Sequence, residues 1–122
     1  MVRLLGNNLS NRKKVYIALT AVYGIGIPTA YEILRKADID PETKVADLTE
    51  TQISTIRDSL ESDDYKLEGD LKRLISLNIK RLVDINSVRG RRHIKGLPVR
   101  GQRTRTNNRT SRRLSFFTRK NK

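Results

Sequence analysis

The residues of this 122-residue chain best suited to chemistry are the cations of its last third. Residues 89–122 contain ten Arg and three Lys and no Asp or Glu. Arginine binds phosphate through paired hydrogen bonds and stacks on bases. The glycines at 90, 96 and 101 allow the backbone to lie close to a sugar-phosphate chain. The pattern therefore indicates a polyanion, RNA or DNA, as the partner of this segment.

The charge distribution divides the chain into two parts. Residues 1–88 contain 13 Lys and Arg and all 13 Asp and Glu, so the whole net charge of +13 belongs to residues 89–122. Such a segment repels itself and buries too little apolar surface to offset its chain entropy. The sequence therefore predicts a neutral globular domain at 1–88 and an extended basic tail at 89–122. The tail has no hydrophobic face for a membrane surface.

Residues that often catalyse reactions or bind metals do not form a set in this chain. Cysteine is absent, which excludes disulfides and thiolate metal sites. His93 is the only histidine, and its neighbours Arg91, Arg92 and Lys95 suit base stacking or hydrogen bonding rather than catalysis. No nucleophile, base and orienting group can be combined, and no all-oxygen metal set is arranged. The sequence predicts no enzyme, no metal and no cofactor.

Apolar periodicity predicts an all-α fold with about four helices and no strand. An apolar run spans 15–23, and Pro28 suits the first turn of a second helix. Thr49, followed by Gln52, has the spacing of a capping box for a third helix. A long amphipathic helix is expected over about 66–85. No secretory h-region and no membrane-length apolar run is present, which predicts a soluble intracellular protein.

The segment Gly24-Ile25-Gly26 lies between the first two predicted helices. Two helices joined by such a turn form the pattern of a helix-hairpin-helix, in which glycine allows a sharp turn and the second helix presents free N–H groups to a phosphate. A plain turn without a ligand explains the same residues. Contact with a phosphate or a protein at this turn stays an open alternative.

Four stretches of the sequence resemble, in order, the bacterial-type small-subunit ribosomal protein thirteen family. They are IALTAVYGIG at 17–26, EGDLKRLISLNIKRL at 68–82, RGRRHIKGLPVRGQ at 89–102 and LPVRGQRTRTN at 97–107. The resemblance covers about 2–113. It implies a helical N-terminal domain with a helix-two-turn-helix arrangement, followed by a long extended basic tail.

The resemblance also implies a place in the head of the small ribosomal subunit. The implied partners are small-subunit rRNA, small-subunit protein nineteen, large-subunit rRNA and large-subunit protein five through intersubunit bridges, and the transfer RNA of the peptidyl site. The implied rRNA-binding residues are Lys72, Arg73, Lys80, Arg81, Arg89, Arg91, Arg92, His93, Lys95, Arg100, Gln102, Arg103, Arg105, Asn107 and Arg109. The residues implied to lie near transfer RNA are Arg112, Arg113, Arg119, Lys120 and Lys122.

The sequence departs from the family pattern after Thr110. The bacterial pattern continues there with Lys, Gly and Pro, whereas this chain has Ser111, Arg112 and Arg113. The divergent, Asn- and Lys-containing tail favours an organellar ribosome, in a plastid or a mitochondrion, over a bacterial one.

Two other classes of protein share some of these features. A helix-hairpin-helix module would bind duplex DNA through residues 24–26 and would need no acid-free arm. A helix-two-turn-helix glycosylase would need a catalytic Pro, Glu or Lys at a free amino-terminal end, and this chain begins with Met-Val-Arg. The sequence favours the ribosomal interpretation over both.

Overall fold

The computed structural model describes residues 2–62 and 65–115, and most of the regular structure in them is helical, as predicted. In chain order the elements are β1 Val2–Leu4, β2 Asn7–Leu9, α1 Val15–Leu19, α2 Ile27–Lys36, a 3₁₀ turn Val45–Asp47, α3 Glu50–Ser62, α4 Glu68–Asp84, α5 Val88–Lys95 and α6 Arg109–Leu114. The chain forms two compact units, which divide between Lys72 and Arg73 inside α4. No helix among the described residues is both long and apolar enough to cross a membrane.

A short hairpin begins the first unit, although the sequence predicted no strand. Strands β1 and β2 pair antiparallel, with Val2 opposite Leu9 and Leu4 opposite Asn7. The two turn residues, Leu5 and Gly6, have φ of 47° and 82°, as the tight turns of hairpins require. Strands of three residues are too short to show an alternating pattern. The prediction that the chain contains no strand was therefore wrong, because strands this short lack the alternation of apolar and polar residues that identifies a strand.

The core of the first unit is aliphatic, as the composition implied. Its most fully buried large side chains come from the hairpin, from α1 to α3 and from the segments after α1 and α2: Leu4, Leu9, Val15, Leu19, Val22, Ile33, Leu34, Val45 and Ile56. The core therefore lies where the hairpin and the first three helices meet, and the leucines of both strands contribute to it.

Helix α1 is shorter than predicted. It ends at Leu19 rather than Tyr23. The next residues form tighter turns, in which Ala21 N donates to Ala18 O and Val22 N to Leu19 O, both at 3.1 Å. The Thr20 hydroxyl donates to Ile17 O at 2.7 Å. Bonds three residues back narrow the last turn of a helix, so the apolar run continues without remaining α-helical.

The predicted starts of α2 and α3 are confirmed. Pro28 lies in the first turn of α2. Before α3, Thr49 N donates to Gln52 Oε1 at 3.0 Å and Gln52 N donates to Thr49 Oγ1 at 3.3 Å. This exchange is a capping box, in which two otherwise unbonded N–H groups are satisfied. The long helix predicted over about 66–85 is α4.

In the second unit, two segments predicted to be extended are helical. Helix α5 begins with a Ser87 cap and ends at Gly96, whose φ of 69° allows a left-handed C-cap. Gly90, inside α5, lies against the backbone of Leu82 in α4. These caps and this close contact stabilise a helix in spite of its charge. Helix α6 is the second of these segments. Residues 97–108, between the two helices, have no regular structure and contain several bends.

Candidate nucleic-acid interface

The two structural units differ strongly in charge. Residues 73–122 contain 16 Lys and Arg against one acidic residue, Asp84, whereas residues 1–72 contain 10 Lys and Arg against 12 Asp and Glu. The net charges are therefore +15 and −2. The second unit includes most of α4, so the basic region begins earlier in the chain than the predicted tail.

Of the four cations of α4 that were predicted to bind rRNA, three belong to the second unit and one belongs to the first. Arg73, Lys80 and Arg81 belong to the second unit and are exposed. Lys72 forms an i,i+4 ion pair with Glu68 at 3.7 Å, and its ammonium lies 5.3 Å from the centre of the Tyr23 ring. Lys72 therefore also serves the packing of the first unit.

Three of the predicted site residues on α5 are exposed: Arg89, Arg91 and Lys95. Arg92 and His93 are half-buried. The Arg92 guanidinium donates from Nε to the Pro98 carbonyl oxygen, a bond that holds the loop against the helix. Arg92 consequently has a structural role in addition to any contact with a nucleic acid.

The loop after α5 carries all but one of the remaining predicted rRNA-binding residues. Its backbone takes left-handed conformations at Gly96, Gly101 and Asn107, with φ of 69°, 72° and 62°. These bends leave all of the loop's predicted side chains exposed: Arg100, Gln102, Arg103, Arg105 and Asn107. Arg109, the first residue of α6, is exposed as well.

Two of the residues predicted to lie near transfer RNA belong to α6. Arg112 and Arg113 are exposed there, and Arg112 Nη2 donates to Asn108 Oδ1 at 3.4 Å. Arg119, Lys120 and Lys122, predicted for the same role, lie outside the described residues.

The described cations of the second unit have no carboxylate partner. Between Arg73 and Ser115, no Lys or Arg lies within 4 Å of a carboxylate oxygen. Lys80 and Asp84, four residues apart on α4, do not form an ion pair. In the first unit, by contrast, Lys14 pairs with Glu42, and Lys36 with Glu32 at 3.2 Å. Uncompensated, exposed guanidinium and ammonium groups are what a phosphate backbone binds.

A cavity of about 430 Å³ lies in the second unit. Its apolar walls come from α4, from the loop after α5 and from α6, and the side chains of His93, Gln102 and Asn107 also line it. All three are among the predicted rRNA-binding residues, but the cavity itself was not predicted. Its wall residues lie up to 36 positions apart, from Ile79 to Ser115, and no periodic pattern links them.

The glycine turn at 24–26 is explained by packing. Gly24 has φ of 105°, and a β-carbon there would lie 2.9 Å from Leu71 Cδ2 and 3.0 Å from Leu67 Cδ2. The turn therefore needs glycine for its backbone conformation and for its contact with the start of α4. This packing contact explains why position 24 is glycine, and no phosphate ligand is needed to explain it.

The described residues contain no cluster of three or more His, Asp or Glu side chains placed to hold a metal ion. The described surface that stands out for binding is thus the cationic one of the second unit.

A protein-family comparison matches residues 3–110 to the family described as ribosomal protein S13/S18. The chain belongs to this family. It is also 54% identical, over 112 residues, to the small ribosomal subunit protein uS13 of Roseiflexus castenholzii. The aligned region covers 92% of this chain and 87% of that relative.

The S13/S18 family match confirms the resemblance found in the sequence. It includes α4, α5 and the loop, and it ends inside α6. The departure from the family pattern after Thr110 begins where the matched region ends. The R. castenholzii relative is bacterial, so the expected preference for an organellar ribosome receives no support from this relative.

Proposed function

We propose that this chain is a structural constituent of the small ribosomal subunit and binds small-subunit rRNA through the cations of its second unit. One observation carries the proposal. Exposed cations on α4, on α5 and on the loop after it belong to one unit with a net charge of +15, and none of those described has a carboxylate partner. Membership of a ribosomal protein family supports rRNA as the polyanion.

Two kinds of contact follow from the side-chain chemistry. Arginines at 100, 103 and 105 suit the phosphate backbone, and neighbouring small polar side chains such as Thr104 suit phosphate or 2′-hydroxyl groups. If six to ten cations contact phosphate, affinity should fall by roughly 10³–10⁵ between 50 and 200 mM salt. We expect no enzymatic activity.

The finer placement within the ribosome belongs to the same proposal. The family resemblance supports small-subunit protein nineteen as a neighbour, bridges to large-subunit rRNA and to large-subunit protein five, and a tail end near peptidyl-site transfer RNA. The exposure of Arg112 and Arg113 is compatible with the last of these. The compartment stays a prediction, and fractionation of a cell that expresses the tagged chain, with organelle markers, would decide it.

Sedimentation of the tagged full-length chain in a sucrose gradient tests the proposal. We expect it in the small-subunit fraction at moderate salt. Replacing Arg100, Arg103 and Arg105 with Gln should move much of it to the top of the gradient. Arg12, Lys13 and Arg57, also exposed but in the first unit, provide a control triple Gln variant with the same loss of charge. That control should sediment like the wild type.

Two results would refute the proposal. One is a wild-type chain found mainly free or on DNA. The other is an equal effect of both triple variants, because that would make the net charge of the chain, rather than the surface of the second unit, responsible for binding.

A further inference from the structure

The cavity of the second unit has apolar walls and a polar set of side chains. Leu97, Pro98 and Val99 of the loop, Ile79 of α4 and Leu114 of α6 supply the apolar surface. Its volume of about 430 Å³ falls within the range of roughly 300–1,000 Å³ that is typical of small-ligand sites. A cavity of this kind suits a flat, partly apolar group with a polar edge.

Three hydrogen bonds build the cavity. Ser111 Oγ, on α6, donates to Gly96 O at 3.0 Å, and Ser115 Oγ donates to His93 O at 3.4 Å. Arg92 Nε donates to the Pro98 carbonyl oxygen. These bonds hold α6 and the loop against the end of α5, so the walls are fixed by specific contacts rather than by charge.

The polar side chains of the cavity are available to a ligand. His93, Gln102 and Asn107 line it, and none of the three side chains forms a hydrogen bond with another described residue. Amide side chains carry a donor and an acceptor side by side, which matches the edge of a nucleobase. Arg100, also in the lining, has a planar guanidinium that can stack on a base or bind the adjoining phosphate.

We propose that this cavity receives a single unstacked nucleobase of single-stranded RNA. This proposal rests on the proposed function of the second unit. Sequence-selective proteins bind RNA where bases leave the stack, pack on side chains and bond through their edges. The positive charge of the second unit attracts the phosphate backbone of the RNA to this surface. The cavity then binds a base, a contact that phosphate groups cannot make. The backbone-binding cations and the base-binding cavity thus adjoin on one surface, and Arg100 belongs to both.

The test compares two RNA probes of equal charge. One is a single-stranded decamer and the other is a decamer of the same length in which every base is replaced by an abasic ribose. Fluorescence anisotropy measures the affinity of the full-length protein for each at several salt concentrations. We expect about tenfold tighter binding of the base-containing probe, near the lower end of the roughly 5- to 150-fold that stacking of one base on an aromatic side chain contributes.

The variant removes the two amides and leaves the charge unchanged. Gln102→Ala is combined with Asn107→Gly, because glycine accepts the φ of 62° at position 107 without strain. This double variant should bind both probes as weakly as the wild type binds the abasic one, with the wild-type salt dependence. Asn78→Ala, exposed on α4 and outside the cavity lining, is the control and should keep the preference.

The possible results separate the two proposals. A double variant that keeps the preference for bases, or a wild type that shows none, overturns the base-binding cavity while salt-dependent RNA binding stands. A wild type without salt-dependent binding to either probe overturns the proposed function itself. Circular dichroism of each variant checks that the helices are intact before affinities are compared.

Discussion

Tyr23 and Glu68 exchange two hydrogen bonds. The backbone N–H of Tyr23 donates to Glu68 Oε1 at 2.8 Å, and the backbone N–H of Glu68 donates to the Tyr23 carbonyl oxygen at 2.9 Å. Asn7, in β2, donates from Nδ2 to the same carboxylate oxygen. One side chain at the start of α4 therefore joins the hairpin, the turn between α1 and α2, and the long helix.

The carboxylate of Glu68 should make the stability of the fold depend on pH. The Tyr23 N–H, followed by the Asn7 amide, lowers the pKa of Glu68 below its ordinary value of 4.5. A carboxylate with a depressed folded-state pKa stabilises the fold above its unfolded-state value, and this contribution disappears as pH falls through the folded-state value. Glu68→Gln should therefore be less stable than the wild type near pH 7, and the difference should vanish well below pH 4.5.

Thermal denaturation over a pH series measures this convergence. Glu61→Gln, on the exposed surface of α3, shows the effect of removing a carboxylate that lacks these donors. A Glu68→Gln variant that follows the wild-type melting temperature throughout the series would contradict the role of the charge.

Gly24 should not tolerate a side chain. Its φ of 105° is strained for any other residue, and an added β-carbon would lie 3.2 Å from the Lys66 carbonyl oxygen as well as near Leu71 and Leu67. We expect Gly24→Ala to destabilise the first unit by about 1–3 kcal/mol, measured by urea unfolding.

Gly69→Ala is the matched control for this change. Gly69 lies in α4 and would meet no atom within 4 Å of an added β-carbon, so alanine should be neutral or stabilise by up to about 1 kcal/mol. Equal destabilisation by both substitutions would show that the contact of Gly24 with α4 does not determine the outcome.

The sequence predicted the features that depend on local signals. The capping box of Thr49 and Gln52, the proline of α2 and the periodicity of α4 are each readable within one or two turns of helix. The hairpin was missed because Leu5, in a left-handed conformation, is not a typical turn residue. Helix α5 was missed because the high positive charge of residues 89–122 favoured an extended tail. The contact of Gly90 with Leu82, which helps to stabilise the helix, cannot be recognised from the sequence.

The sequence predicted which residues form the cationic site, but not how the fold arranges them. Counting charges identified the arginines, since no acidic residue lies among them. It did not identify Arg92 as a structural residue, whose bond to Pro98 depends on the fold of the loop. It also did not reveal the cavity, because Ile79, Leu97 and Leu114 come together only once α4, α5 and α6 have packed.

Ser87 should fix the start of α5. Its hydroxyl accepts a hydrogen bond from Gly90 N at 3.0 Å and donates one to Leu82 O at 2.9 Å. Ser87→Ala removes both and should destabilise α5 by about 1 kcal/mol, as lost N-caps usually do. Faster amide exchange at Gly90 would report it. Ser87→Thr keeps the hydroxyl and should exchange nearly as slowly as the wild type; unchanged exchange in Ser87→Ala would argue against the cap.

Gly90 decides how closely α5 can approach α4. Helix propensity alone favours alanine over glycine by about 1 kcal/mol inside a helix. A β-carbon at Gly90, however, would lie 2.3 Å from Leu82 O, 2.5 Å from Leu82 C and 2.7 Å from Val83 N. These are backbone atoms of α4 and cannot rotate away as a side chain would, so α5 as a whole would have to move. We expect Gly90→Ala to destabilise the second unit by about 2–3 kcal/mol.

Hydrogen exchange and RNA binding together test this prediction. In Gly90→Ala the amides of α5 should exchange faster, and RNA affinity should fall although no charge is lost, because α5 no longer holds its arginines in place. Arg91→Ala, an exposed change on the same helix, should lower RNA affinity while leaving amide exchange as in the wild type. If Gly90→Ala slowed exchange instead, helix propensity would outweigh the close contact and the two helices would not need glycine where they meet.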